Sequence, residues 1–241
     1  MNAVFATYLM WVAVAFVIPY LLGSIPFSYL IVRSVTGEDI TSHGTGNVGS
    51  MNVRRTTGSW WWFAAAVLGD GLKGLLPALL AKFAVSGNWV FALQPWGVTL
   101  SGVDSRWWAN PVFYVPMAAV AGSVLGHNYS LWMALIEKRF QRTGKGLATG
   151  AGALLAYDWR CCVVVVLVAV AVIAATRYMM AGQVAAALAL PFTALLLRSP
   201  DWPFMLFMGA IVYGAHHKRF VGLLRGQEPK LYVNDGTGPR G

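Results

Sequence analysis

Residues 1–32, MNAVFATYLMWVAVAFVIPYLLGSIPFSYLIV, carry no Asp, Glu, Lys or Arg. About 20 apolar residues in a helix cross the hydrocarbon of a bilayer, so a run of this length reads as a membrane segment. It lacks a basic N-terminal region and its apolar stretch is too long for a cleavable signal peptide. A retained helix is expected, softened by Pro19, Gly23 and Pro26. Charge is absent again from 107–136, 161–176, 178–197 and 202–215. Hydrophobic residues make up 57% of the chain and charged residues 11%, with a mean hydropathy of +0.59. A soluble domain carries about 25% charged residues, which excludes that class here.

The expected class is an all-α membrane protein of seven transmembrane segments, at about 4–30, 60–82, 111–135, 147–158, 161–177, 180–198 and 202–216. Some are short or broken. The fourth holds Gly150 and Gly152 and has the length of a half-helix, tolerated at depth only inside protein or beside water. Placing 33–59, 136–146, Arg177 and 217–241 on one side gathers every one of the 18 Lys and Arg except Lys73, Lys82, Arg106, Arg160 and Arg198. That side is cytoplasmic by the positive-inside rule, with the N-terminus outside and the C-terminus inside. Tryptophans such as Trp60, Trp61, Trp62, Trp107 and Trp108 suit interfacial belts. The net charge of +9 is that of loops facing anionic lipid and calls for no nucleic acid. Cys161 and Cys162 are adjacent in an apolar run and read as buried filler with no redox or metal role. The expected organisation is one membrane domain, 1–220, and a cytoplasmic tail, 221–241, whose end is expected to be disordered.

Against this background the stretch 42–55, SHGTGNVGSMNVRR, stands out. Closely spaced glycines let backbone N–H groups converge on an anion, and Asn47, Asn52 and Arg55 add donors around them. Gly44-x-Gly46-x-x-Gly49 has dinucleotide-fingerprint spacing, but no strand precedes it and no βαβ unit surrounds it. The bland reading of the pattern is a flexible cytoplasmic turn, and Asn47, Asn52 and Arg55 favour the anion site over it. A second anion-suited place is Gly144-Lys145-Gly146, followed by Thr149, at the start of the short fourth segment. A helix N-terminus offers free N–H groups there, and Lys145 adds charge.

Asp70 and Lys73 lie three apart in the second segment, spaced to pair on one helix face and support a site. His127 and Asn128 lie at the end of the third segment, where an isolated histidine is most simply a hydrogen-bonded structural group. His216 is placed where the last helix meets the cytoplasm, followed by Lys218 and Arg219. No Gly-x-Ser-x-Gly elbow, no His-x4-Asp pair and no His/Cys cluster of metal-ligand spacing occurs. No metal or organic cofactor is expected.

Together these segments resemble the bacterial PlsY family of membrane acyltransferases. The resemblance runs from Leu22-Gly23-Ser24-Ile25-Pro26-Phe27-Ser28 through the Gly44–Arg55 loop, Asp70-Gly71-Leu72-Lys73-Gly74, Gly126-His127-Asn128-Tyr129 and Gly144-Lys145-Gly146-Leu147-Ala148-Thr149 to Gly226-Gln227-Glu228-Pro229-Lys230. It implies transfer of an acyl group from acyl phosphate to the sn-1 hydroxyl of glycerol 3-phosphate, giving lysophosphatidate and phosphate. It also implies the bacterial inner membrane, a cytoplasmic active site and functional coupling to the enzyme that makes acyl phosphate.

On that basis Gly44, Thr45, Gly46, Asn47 and Gly49 are expected to cradle the acyl phosphate. Arg55 and Lys145 would bind phosphate charge, and His216 would orient glycerol 3-phosphate. Asn52, Gly144, Gly146, Thr149 and Arg219 would complete the substrate contacts, with Asp70, Lys73, His127 and Asn128 supporting them. The chain departs from the family pattern at Thr45, where serine is common, and at Arg219, where the family tail reads His-x-x-Asn. Two alternatives stay open: a transporter of a phosphorylated solute, and a catalytically silent homologue of the acyltransferase.

Overall fold

A computed structural model describes residues 3–44, 46–102, 106–228 and 230; Thr45 and the expected disordered end of the tail lie outside them. The described residues form α1 (Ala3–Gly23), α2 (Phe27–Thr36), α3 (Ser50–Thr57), α4 (Trp60–Ser86), α5 (Trp89–Leu93), α6 (Trp96–Ser101), α7 (Val115–Asn128), α8 (Leu131–Glu137), α9 (Leu147–Tyr157), α10 (Trp159–Thr176), α11 (Met179–Leu196) and α12 (Trp202–Leu224). The all-α expectation holds. Four helical stretches, Ala3–Thr36, Trp60–Ser86, Trp159–Thr176 and Met179–Leu196, are long and apolar enough to cross a membrane by length and composition.

The breaks between helices do structural work. The expected single segment 4–30 is two helices, interrupted at 24–26. Pro26 has no N–H to donate and disfavours helical backbone in the residue before it. The interruption frees carbonyls for partners elsewhere: Lys73 Nζ donates to Ile25 O at 2.8 Å, and Ser130 Oγ donates to Ser24 O at 2.5 Å. Segment 111–135 likewise divides into α7 and α8. Ser130 forces that division by capping α8, its Oγ accepting from Met133 N at 3.1 Å. The last helix does not stop at 216 but runs to Leu224, because His216-His217-Lys218-Arg219 ends the apolar stretch without breaking the backbone hydrogen bonds. The 42–55 stretch is not all loop: its second half is α3.

Glycine seams hold the core helices close. A Cβ on Gly152 would collide with Gly71 O, and one on Gly74 with Thr149 O, so α9 lies backbone-to-backbone against α4. Such small-residue contacts are how helices associate in lipid, where apolar burial no longer distinguishes one partner from another. At the far end of this pair Lys82 is fully buried. Its Nζ donates to Gln94 O at 2.5 Å, Ala156 O at 2.6 Å and Tyr157 O at 3.3 Å, capping the C-terminus of α9. Tyr157 in turn donates its hydroxyl to Asp201 Oδ2 at 2.7 Å, tying α9 to the start of α12. The 11-residue α9 spans about 16 Å, roughly half the hydrocarbon thickness.

Candidate anion and acyl-chain site

The N-terminus of α9 opens onto a cavity of about 150 Å³. Its N-cap is Gly146, at φ 73°, a left-handed conformation that glycine adopts without Cβ strain. The first turn of α3 reaches the same cavity through Gly49, Ser50 and Met51, and that of α9 through Gly146, Leu147 and Ala148. Two helix N-termini thus present partial positive charge to one space. Arg55, Lys145 and Arg219 add full charges on its wall, and Lys230 stands at the rim with them.

Burial pushes the Lys145 ammonium down from 10.5 to about 8. Arg219 pushes the same way, Glu228 opposes, and Arg142 and Arg55 add to the depression. The cavity wall carries four cations, Arg55, Lys145, Arg219 and Lys230, against the one carboxylate of Asp70, a charge balance that suits an anion. Arg219 is held by Glu228 in a two-pronged ion pair, with Nε 2.8 Å from Oε1 and the Nη2–Oε2 contact beside it. Residues 225–228 therefore fold back onto α12.

The structure gathers Asn47, Gly49, Asn52, Arg55, Asp70, His127, Lys145, Gly146 and Arg219 on this cavity. It adds Ser50, Met51, Leu147, Ala148, Met179 and Gln183, which the sequence reading missed. Asp70 pairs with Lys73 at 2.8 Å, and His127 Nδ1 stands 3.6 Å from the same Asp70 oxygen. Asn52 holds the loop rather than offering donors: its Nδ2 donates to Ile40 O at 3.0 Å and His43 O at 2.9 Å.

The glycine loop also uses several of its own donors. Gly46 N donates to His43 O at 2.9 Å, Val48 N to Thr143 O at 2.9 Å and Gly49 N to Asn47 O at 3.0 Å. Gly44, Gly46, Gly144, Asn128, Lys73 and Thr149 are not among the residues lining the cavity. Gly144 packs on the His127 ring, leaving no room for a Cβ. His216 does not line the cavity either. It is buried, its Nδ1 lies 2.8 Å from Val212 O, and its Nε2 has no partner.

A second cavity, of about 240 Å³, opens beside the first and shares Gly146, Leu147 and Gln183 with it. Its walls come from α7, α9, α10, α11 and α12, including Val124, Leu154, Val165, Leu190, Phe204 and Met208. These side chains are aliphatic or aromatic, so the space suits hydrocarbon. No group of three or more His, Cys, Asp or Glu among the described residues could hold a metal ion.

Comparison with known proteins agrees with this architecture. The chain is 36% identical over 226 residues to "Glycerol-3-phosphate acyltransferase 2" of Moorella thermoacetica, covering 92% of this chain and 98% of that one. It is 32% identical over 222 residues to a glycerol-3-phosphate acyltransferase of Thermosynechococcus vestitus, covering 91% and 94%. Its fold matches crystal structures of PlsY (YgiH), an integral membrane glycerol 3-phosphate acyltransferase, at 26% identity. The glycerol 3-phosphate form superposes with a TM-score of 0.70 over 94% of this chain and 96% of that one. The lysophosphatidic acid form gives 0.67 over 93% and 95%. The sequence model of the glycerol-3-phosphate acyltransferases matches residues 13–226, and the chain belongs to that family of integral membrane enzymes.

Proposed function

We propose that this glycerol-3-phosphate acyltransferase takes its acyl group from an acyl phosphate and places it on the sn-1 hydroxyl of glycerol 3-phosphate. The products are lysophosphatidate and inorganic phosphate. The observation that carries the reading is the junction of a cation-lined cavity with an apolar one at Gly146, Leu147 and Gln183. An acyl phosphate has that same polarity, an anion joined directly to a hydrocarbon chain. The PlsY crystal forms with glycerol 3-phosphate and with lysophosphatidic acid support the acceptor and the product by kinship.

An acyl phosphate is a mixed anhydride, already activated, so no covalent enzyme intermediate is required. The protein must hold two phosphates together, aim the hydroxyl and stabilise charge as it develops. Arg55, Lys145 and Arg219 are assigned to phosphate charge, with the first turns of α3 and α9 supplying backbone N–H groups. The hydroxyl oxygen bonds to the acyl carbon, the carbon–oxygen bond to phosphate breaks, and phosphate leaves with that electron pair. The hydroxyl proton passes to a substrate phosphate. Asp70, Lys73 and His127 brace the cavity floor, and His216 stands behind the cationic wall. We further propose seven crossings of a bacterial inner membrane, with the N-terminus outside and the site facing the cytoplasm. Family membership favours this reading over solute transport.

The test is phosphate release from palmitoyl phosphate by purified protein, with and without sn-glycerol 3-phosphate, with lysophosphatidate followed by mass spectrometry. Acceptor-dependent phosphate and lysophosphatidate in equal amounts are expected. Arg55→Ala and Lys145→Ala should each lower turnover by roughly 10²-fold while the protein still inserts. Folded protein that turns over no acyl phosphate of any chain length refutes the donor assignment. Near-normal turnover in either variant removes that residue from the site.

A further inference from the structure

Gln183 is the one amide in the uncharged run 178–197. It lies near the start of α11 and lines both cavities. Its Oε1 is buried and accepts no hydrogen bond. In the apolar cavity the other polar side-chain groups among the described lining residues are committed: the Tyr157 hydroxyl to Asp201 at 2.7 Å and the Cys162 thiol to Ala151 O at 3.6 Å. An unpaired acceptor in such surroundings is costly. It is also placed where head group and hydrocarbon of a bound donor must meet.

The chemistry of the vacant partner follows from the atom. A carbonyl oxygen accepts and cannot donate, so its partner must be a donor. A fully ionised acyl phosphate brings none to this point, its carbonyl and phosphate oxygens all being acceptors. Glycerol 3-phosphate brings hydroxyls. We propose that Gln183 Oε1 accepts the hydrogen bond of the attacking hydroxyl of glycerol 3-phosphate and holds that oxygen at the mouth of the chain cavity. This inference rests on the acyl-transfer reading above. A neutral amide is no base at working pH, so Gln183 orients the hydroxyl and the proton still leaves to phosphate. The oxygen forms its bond to the acyl carbon, phosphate departs with the electrons of the broken bond, and no other reactant is needed. The hydrogen bond aligns a lone pair with the carbonyl carbon, which is worth most in the transition state.

Gln183→Met tests the assignment, because it keeps the side chain's length and removes the acceptor. The expected kcat/KM for glycerol 3-phosphate falls about 10- to 100-fold, the cost of one hydrogen bond. The KM for palmitoyl phosphate stays within twofold. The Tm of the substrate-free protein stays level or rises, since an unpaired buried polar group has been removed. A merely structural Gln183 gives the opposite signature, with Tm and activity falling together, and that result overturns the proposal. Activity within threefold of wild type overturns it as well. Wild-type protein that transfers no acyl group sinks the functional reading and this inference with it, whereas wild-type transfer with an unaffected Gln183→Met variant removes Gln183 alone.

Discussion

If the Lys145 ammonium binds substrate phosphate, activity must follow its protonation. Burial and the neighbouring Arg219, Arg142 and Arg55 bring it to about 8. The free enzyme is then about nine-tenths protonated at Lys145 at pH 7 and about one-tenth at pH 9, as an ordinary single-site titration requires. The value of kcat/KM reports the free enzyme, so for glycerol 3-phosphate it should fall about tenfold between those two pH values. A lysine at its usual 10.4 would stay almost wholly charged at pH 9 and give a flat profile. The substrate's phosphate loses its second proton near pH 6, below this window, and does not imitate the effect.

Stability carries the same signature with a definite sign. The folded state binds fewer protons at Lys145 than the unfolded chain between about pH 8 and 10.5, so the contribution to stability of the anion-free protein rises with pH across that interval. The assay is initial-rate phosphate release from pH 6.5 to 9.5, corrected for uncatalysed hydrolysis. Arg219→Gln, which removes the largest charge effect on Lys145, should move the alkaline limb upward. Glu228→Gln should move it downward. A wild-type profile flat to pH 9.5, or a limb that ignores both substitutions, refutes the reasoning.

Three further outcomes follow from packing and cavity shape. Gly152→Leu drives a side chain into Gly71 O and should lower stability by about 1–3 kcal/mol or more, read as a fall in Tm in detergent; an unchanged Tm would show that α9 does not lie on α4 as described. Lys82→Met leaves the carbonyls of Gln94, Ala156 and Tyr157 without their shared donor. It should cost about 2 kcal/mol or more, while the KM for glycerol 3-phosphate stays within twofold; unaltered thermal stability counts against the knot. Ala187→Phe fills part of the apolar cavity and should favour decanoyl over palmitoyl phosphate in competition; an unchanged preference would place the chain elsewhere.

The helices were legible because hydrophobic length and charge silence report directly on membrane crossing. The Asp70–Lys73 pair was legible from its spacing alone. The break at Ser24–Pro26 was foreshadowed by Gly23 and Pro26, whereas the one at Tyr129–Ser130 was not, and apolar content says nothing of which carbonyl is freed for a distant partner. The 42–55 stretch drew attention through its glycines, yet it is Gly49 and the first turn of α3, not Gly44 or Gly46, that reach the cavity. Arg55 and Lys145 were found by charge beside glycine, whereas Gln183 was missed because an isolated amide in an apolar run has no local signature. His216 was expected at the cavity from its place at the end of the apolar run; it lies buried in α12, off the lining, within reach of the charges of Lys145, Arg142 and Arg219. The bond of Arg219 to Glu228 closes a loop that neither residue type specifies.

Synthesis gives the Lys82 knot a schedule. When the ribosome has made Lys82, Ala156 and Tyr157 do not yet exist, and at usual elongation rates they follow only after about 4–15 seconds. An ammonium short of two of its three carbonyls is costly in hydrocarbon, so nascent α4 is expected to settle first with that side chain extended to water. Gln94 O follows within 12 residues, and the later arrival of α9 adds the other two oxygens and draws the charge inward. On this expectation, burial of Lys82 is completed by a segment made afterwards, and the last dehydration step at this end of the molecule waits for α9.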